Sequence, residues 1–138
     1  MSRSPKLSII LATHNRRSVL LGTLPRLEAC GLDRRDFEII VVDNASTDGA
    51  AAALRDRGGI HVVALAENHG ACAKAFGVDV ARAPLVLFVD DDSYPRPGCC
   101  ERVLRVFEKQ PRLAAAGFRV VLPDGSEECS ALPNVFVG

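Results

Sequence analysis

Four short apolar runs mark the first part of the chain: Lys6–Ala12 (KLSIILA), Phe37–Val42 (FEIIVV), Ile60–Leu65 (IHVVAL) and Leu85–Val89 (LVLFV). Each is rich in Val, Ile and Leu and mostly continuous rather than alternating, which is how a strand buried on both faces reads. Between the runs the apolar positions move to helical spacing. Arg17–Cys30 carries Val19, Leu20, Leu24 and Leu27, Ser46–Arg57 contains a run of alanines, and Ala71–Arg82 has helical length. A fourth helix is expected over Pro97–Lys109, with Pro97 as a first-turn proline and Val103, Leu104, Val106 and Phe107 on one side. Leu113–Leu122 reads as a further strand.

Strand and helix therefore alternate, and that order implies a mainly parallel sheet with right-handed crossovers and helices on both faces, a Rossmann-like α/β fold. Pro25 inside the first helical pattern is expected to kink or split it, because proline lacks the N–H the ladder needs. Gly58-Gly59 is a stop for the second helix, and Pro123-Asp124-Gly125-Ser126 a turn.

Length and composition narrow this further. The 138 residues suit one domain over residues 1–138, burying roughly two-thirds of its unfolded surface. Seventeen basic residues against seventeen acidic leave no net field to attract nucleic acid or an acidic membrane. No apolar stretch approaches the ~20 residues of a transmembrane helix, and the start of the chain lacks a signal-peptide pattern, so the expected location is cytoplasmic. Five cysteines, Cys30, Cys72, Cys99, Cys100 and Cys129, include no C-x-x-C pair and are expected to be free, buried thiols.

The candidate chemistry lies just after the strands, where an open α/β sheet binds its ligands. Thr13-His14-Asn15-Arg16 follows the first strand, Asp43-Asn44-Ala45-Ser46-Thr47-Asp48-Gly49 the second, Glu67-Asn68-His69-Gly70 the third, and Asp90-Asp91-Asp92 the fourth. Each cluster has a plain structural reading. Thr13 or Asn15 suits the cap of the first helix, Ser46 or Asp48 that of the second, and His14 and His69 suit solvent-facing loops. Four polar strand ends converging on one rim is the stronger signal. Three adjacent carboxylates repel one another unless a cation or strong donors reconcile them, and oxygen-only ligands suit Mg²⁺, Mn²⁺ or Ca²⁺.

These residues resemble the nucleotide-sugar glycosyltransferases of the GT-A fold, specifically glycosyltransferase family 2. The resemblance rests on SIILATHNR (Ser8–Arg16), IIVVDNASTDG (Ile39–Gly49), ENHG (Glu67–Gly70) and FVDDDS (Phe88–Ser93), which contains D-x-D. It implies a nucleoside-diphosphate-sugar donor of UDP, GDP or dTDP type, a divalent cation, Mg²⁺ or Mn²⁺, and transfer to an acceptor hydroxyl with inversion. Asp43 would accept a hydrogen bond from the nucleotide base, with Thr13, Asn15 and Arg16 lining the base and ribose pocket. Asn44, Ser46 and Asp48 would shape that loop, with Asn68 and Gly70 in the next turn. Lys74 would neutralise diphosphate charge. Asp90 and Asp91 would contact ribose or metal-bound water, Asp92 would be the principal metal ligand, and Asp90 a second.

In the resembling family the catalytic base lies beyond the D-x-D, in the C-terminal half of a larger domain. Asp124, Glu127 and Glu128 read instead as a solvated hairpin, so the base is expected outside this chain. The acceptor is unidentified, and apolar surface left for the remaining half predicts self-association into a homo-oligomer. The alternative reading is a non-catalytic nucleotide-binding or interaction module.

Overall fold

The computed structural model describes residues 4–127 and the strand Phe136–Val137. Backbone contacts group the chain into two compact units, Met1–Leu104 and Arg105–Gly138.

The first unit is built on four parallel strands: β1 (Leu7–Thr13), β2 (Phe37–Asp43), β3 (Ile60–Ala64) and β4 (Leu85–Phe88). Their spatial order is β3-β2-β1-β4. The two central strands account for the continuous apolar runs. Every residue of β2 is buried, Glu38 and Asp43 included, whereas β3, at the edge, is only half-buried. The register aligns Ser8 with Glu38 and Thr13 with Asp43, so the polar residues at each end of β1 and β2 sit level across the sheet.

Odd and even positions of β1 and β2 feed two separate cores, as the two-residue period of a strand requires. On one face Leu7, Ile9, Leu11, Ile39 and Val41 pack with Leu20, Leu24 and Leu27 of α1 (Arg17–Glu28), Leu54 of α2 (Ala50–Arg55) and Cys100 of α4 (Cys99–Lys109). On the other, Ile10, Ile40 and Val42 pack with Ala73, the last residue of a 3₁₀ turn (Gly70–Ala73) that leads into α3 (Lys74–Val78). There α3 approaches so closely that a Cβ on Gly77 would come within 2.5 Å of Ile10 Cγ2. Helices thus cover both faces of a parallel sheet, the expected α/β class.

Several boundaries differ from the sequence-based expectation. The first helix stops at Glu28 and runs through Pro25 as one element, with Ala29 N–H donating to the Pro25 carbonyl at 3.1 Å. The second helix is confined to Ala50–Arg55, because Ser46–Gly49 is committed to loop hydrogen bonds and Gly49 stands at φ 80°. The third is a 3₁₀ turn plus five residues rather than a helix to Arg82. The fourth begins at Cys99, since Gly98 is left-handed at φ 80° and Pro97 therefore lies outside the first turn. Of the cysteines, Cys30 and Cys100 are free and buried together as expected, but Cys72 is exposed and Cys99 half-buried; Cys129 lies outside the described residues.

In the second unit, β5 is only Leu113–Ala115, not Leu113–Leu122, and pairs antiparallel with β6 (Phe136–Val137). An isolated antiparallel bridge joins Val121 to Glu127 around the expected turn, where Asp124 accepts from the Ser126 N–H at 2.9 Å and hydroxyl at 2.6 Å. Glu127 is paired with Arg119 at 2.9 Å. Glu128 lies outside the described residues.

Candidate functional site

At the carboxyl ends of β1, β2 and β4 an open cleft of about 460 Å³ is bounded by Thr13, Arg16, Asn44, Lys74 and the three aspartates. Its floor is set by Asp91, 4% exposed, whose Oδ2 accepts from the Thr13 hydroxyl at 2.9 Å while Oδ1 accepts from Arg16 at 2.6 Å. The hydroxyl at the end of β1 thus clamps the strand-to-turn exit of β4. The Ser93 N–H donates to the Asp90 carbonyl at 3.0 Å and closes that turn. Tyr94 just beyond is held by Arg26 of α1, which donates to its hydroxyl at 2.8 Å and lies 4.6 Å from its ring centroid.

The flanking carboxylates point outward, each against a cation. Asp92 Oδ2 accepts from Arg16 at 3.0 Å, and Asp90 Oδ1 from Lys74 Nζ at 2.5 Å. The hydrogen bond from Arg16 holds the Asp92 carboxyl below the usual carboxylate range against the opposing effect of burial. The same bond, with the charges of Asp91 and Asp90, pushes the Arg16 guanidinium up. Arg16 therefore bridges two aspartates, and Lys74 holds the third.

The second wall is a loop cross-stitched by side-chain amides. Asn44, buried at the end of β2, donates to Asn68 Oδ1 at 2.8 Å and to the Gly70 carbonyl at 3.3 Å, and accepts from the His69 N–H at 2.8 Å. Asn15, at φ 53°, accepts from the Thr47 N–H at 2.7 Å, and its own N–H donates to Ser46 Oγ at 3.0 Å. Asp48 accepts from the Arg17 N–H at 2.8 Å and the Ala50 N–H at 3.0 Å, capping the starts of both α1 and α2. The cap of the first helix is thus supplied across space by the second loop, leaving Thr13 and Asn15 for other partners.

Nine of the expected site residues line the cleft: Thr13, Arg16, Asn44, Asn68, Gly70, Lys74, Asp90, Asp91 and Asp92. Asn15, Asp43 and Ser46 are not among its lining residues. Asp43 is 4% exposed, and its Oδ1 accepts from the Ser46 N–H at 3.0 Å. His14, read from sequence as a solvent-facing loop residue on the rim, is exposed and also lines the cleft. Its Nδ1 lies 2.7 Å from the Asn44 carbonyl, which only accepts, so Nδ1 carries the proton. Asn15 Nδ2 lies 3.3 Å from Nε2 and donates to it. The signal that marks His14 is its position directly after β1, between Thr13 at the strand's last position and Arg16.

The carboxylates are hard oxygen donors, yet among the described residues no group of three or more His, Cys, Asp or Glu is arranged to hold a metal ion. Asp90 and Asp92 are the exposed carboxylates that could hold an oxygen-preferring ion such as Mg²⁺, and they could supply only part of its coordination shell. No helix among the described residues is long and apolar enough to cross a membrane.

The site is thus a cleft at the carboxyl edge of a parallel sheet in which two cations face three carboxylates. Comparison with known proteins gives the class. The sequence matches the Glycosyl transferase family 2 profile over residues 8–134, and the chain belongs to that family. It is 30% identical over 108 residues to an uncharacterized glycosyltransferase of Haemophilus influenzae, covering 78% of this chain and 36% of that protein. It is 34% identical over 121 residues to an undecaprenyl-phosphate 4-deoxy-4-formamido-L-arabinose transferase of Pseudomonas aeruginosa, covering 83% of this chain and 34% of that one. The chain thus spans about a third of the length of these relatives. Its fold matches a mannosyltransferase of Pyrobaculum calidifontis in complex with GDP-Man and Mn²⁺, with TM-score 0.75 and 22% identity over 89% of this chain and 37% of that one. It also matches Staphylococcus aureus TarS in complex with UDP, with TM-score 0.67 and 21% identity over 88% of this chain and 43% of that one. The α/β architecture is that of the GT-A glycosyltransferases.

Proposed function

We propose that the cleft binds the nucleoside-diphosphate part of a sugar donor together with a divalent cation, and that this chain is the donor-binding part of an enzyme that moves the sugar to an acceptor hydroxyl with inversion. The observation that carries the reading is the placement of Arg16 and Lys74 opposite Asp90, Asp91 and Asp92 in one cleft at the sheet's carboxyl edge. Family membership and neighbours whose structures hold GDP-Man with Mn²⁺, or UDP, support it.

Each residue then has a physical task. Lys74 and Arg16 donate to phosphate oxygens, where charge-assisted bonds are about twice as strong as neutral ones. Asp91, tied to Thr13, keeps the turn in place and stays buried. Asp92 and Asp90 offer hard oxygens to a Mg²⁺- or Mn²⁺-type ion. Such an ion, when bound, stabilises the negative charge that develops on the departing diphosphate. Asn44, Asn68 and Gly70 stiffen the wall beside it, and the Asp43–Ser46 loop with Asn15 forms the approach for base and ribose.

Asp124 and Glu127 of the second unit do not suit the role of base that deprotonates the acceptor. Asp124 is held below the usual range by the Ser126 hydroxyl and N–H, the wrong direction for a base near neutral pH, and Glu127 is ion-paired. Those two observations favour, as second reading, nucleotide binding without catalysis by this chain alone.

Calorimetric titration with UDP, GDP and dTDP, with and without Mn²⁺, tests the proposal. At least one should bind in Mn²⁺, and Asp92→Ala should weaken that binding roughly tenfold or more, as the loss of one charge-assisted contact implies. No binding by any of the three, or an Asp92→Ala variant that binds like the parent, overturns it. Product formation from a bound donor would separate enzyme from binding module.

A further inference from the structure

An incoming metal ion must compete for the aspartates, because each is paired with a cation of the same cleft. Arg16 reaches Asp91 at 2.6 Å and Asp92 at 3.0 Å, and Lys74 reaches Asp90 at 2.5 Å. Three negative charges and two positive ones leave the cluster with one net negative charge. We propose, resting on the donor-site reading above, that the site works by counter-ion exchange, so that divalent ion and diphosphate enter as a pair and neither binds well alone.

The physical reason is the cost of stranding charge. An ion arriving alone must displace Lys74 from Asp90 and Arg16 from Asp92, and it leaves two cations facing a third positive centre. A diphosphate arriving alone offers Lys74 and Arg16 new partners but sets its own charge beside three carboxylates. When both arrive, Lys74 and Arg16 turn to phosphate oxygens, Asp90 and Asp92 turn to the ion, and every charge keeps a partner. With a sugar nucleotide carrying two negative charges, the net charge of the cluster is unchanged.

The geometry permits the exchange. Lys74 begins α3 with its side chain only 25% exposed, so its stem is anchored while its ammonium swings. Asp90 and Asp92 are 72% and 50% exposed at the side chain, so both can re-aim. Asp91, 6% exposed and bonded to Thr13, stays behind as the fixed point from which Arg16 pivots. The coupling is reciprocal: the factor by which ion improves nucleotide binding equals the factor by which nucleotide improves ion binding.

The test titrates Mn²⁺ alone into the parent protein, Lys74→Met and Arg16→Met, following loss of the free-ion electron paramagnetic resonance signal. Nucleoside diphosphate titrations of the same proteins, with and without Mn²⁺, run alongside. Circular dichroism melting establishes that each variant folds, and Arg16→Met decides if Lys74→Met does not. The parent should take up Mn²⁺ alone weakly. Removing either cation should tighten Mn²⁺-alone binding by about 5- to 150-fold, the usual range of a coupling between sites, and shrink the coupling to nucleotide. Mn²⁺-alone binding in the parent as tight as in a folded variant overturns the exchange while leaving nucleotide binding intact. Absence of nucleotide binding in the presence of Mn²⁺ overturns the donor-site reading itself.

Discussion

The two ends of β1 carry the same chemistry and put it to different uses. At the amino end, Ser8 donates to Glu38 at 2.6 Å, and Arg82 donates to the same carboxylate through its backbone N–H at 2.7 Å and Nε at 2.8 Å. At the carboxyl end, Thr13 donates to Asp91 at 2.9 Å and Arg16 at 2.6 Å. Both are a hydroxyl on β1, a buried carboxylate and an arginine. The first ties β1, β2 and the approach to β4 together through Glu38, and Glu38 and Arg82 also line a separate cavity. The second is flanked by Asp90 and Asp92, which remain exposed, and by Lys74, inside a cleft. What sets the carboxyl end apart is the pair of exposed carboxylates, Asp90 and Asp92, beside the buried one.

The largest expected effect breaks that symmetry directly. Asp91→Ala and Glu38→Ala each leave a buried hydroxyl without its acceptor, so each should cost about 1–3 kcal/mol by chemical denaturation. Only Asp91→Ala should also weaken nucleoside diphosphate binding, by roughly tenfold or more, through the loss of Arg16's anchor. Equal effects of both variants on binding would erase the distinction between tie and site.

A second comparison concerns the packing beneath the Lys74 wall. Gly77→Ala forces a methyl against Ile10 and Val42 and should destabilise by about 1–3 kcal/mol. Gly22→Ala, where a Cβ meets nothing within 4 Å, should stabilise α1 by about 0.5–1 kcal/mol. Melting temperatures that move in the same direction would contradict the close approach of α3.

The smallest effect is in pH. Burial pushes the Glu38 carboxyl up, but bonds from Ser8 and from the Arg82 N–H and guanidinium outweigh it, and the net shift is downward. A group with a lowered folded value stabilises above its unfolded pKa, about 4.3 for Glu, and that contribution is lost as pH falls through the folded value. Stability measured from pH 6 downward should therefore drop less steeply in Glu38→Gln. Asp92, lowered by the hydrogen bond from Arg16, has the same sign but is half-exposed, so its share should fade in high salt whereas that of Glu38 should not.

Most of the rim was legible because strand ends are legible: a continuous apolar run stops, and the next residue faces the crevice. Thr13, Arg16, Asn44, Asn68, Lys74 and the aspartates all follow from that rule together with the resemblance of their motifs to family 2. Asp43 was harder, because a carboxylate at a strand end can face a ligand or close its own loop, and here one oxygen bonds the Ser46 N–H. Helix lengths were over-read for the same kind of reason. Ser46–Gly49 and Pro97-Gly98 have helical neighbours, but left-handed glycines, and side-chain bonds in the first case, hold the helix start until after them. Pro25 erred the other way, since α1 runs on through it to Glu28 and packs on the sheet through Leu24 and Leu27 on either side.

By itself the sequence determined the alternation of strands and helices, the parallel sheet and the polar rim, because periodicity and strand-end chemistry are local properties of the chain. Which carboxylate is buried, which cation faces it, and that Asp48 caps two helices at once were decided only by tertiary structure. The pairings of Arg17 with Asp48, Arg16 with Asp91 and Thr13 with Asp91 join residues 31, 75 and 78 positions apart, and only the packing of β1 between β2 and β4 brings them within hydrogen-bond reach.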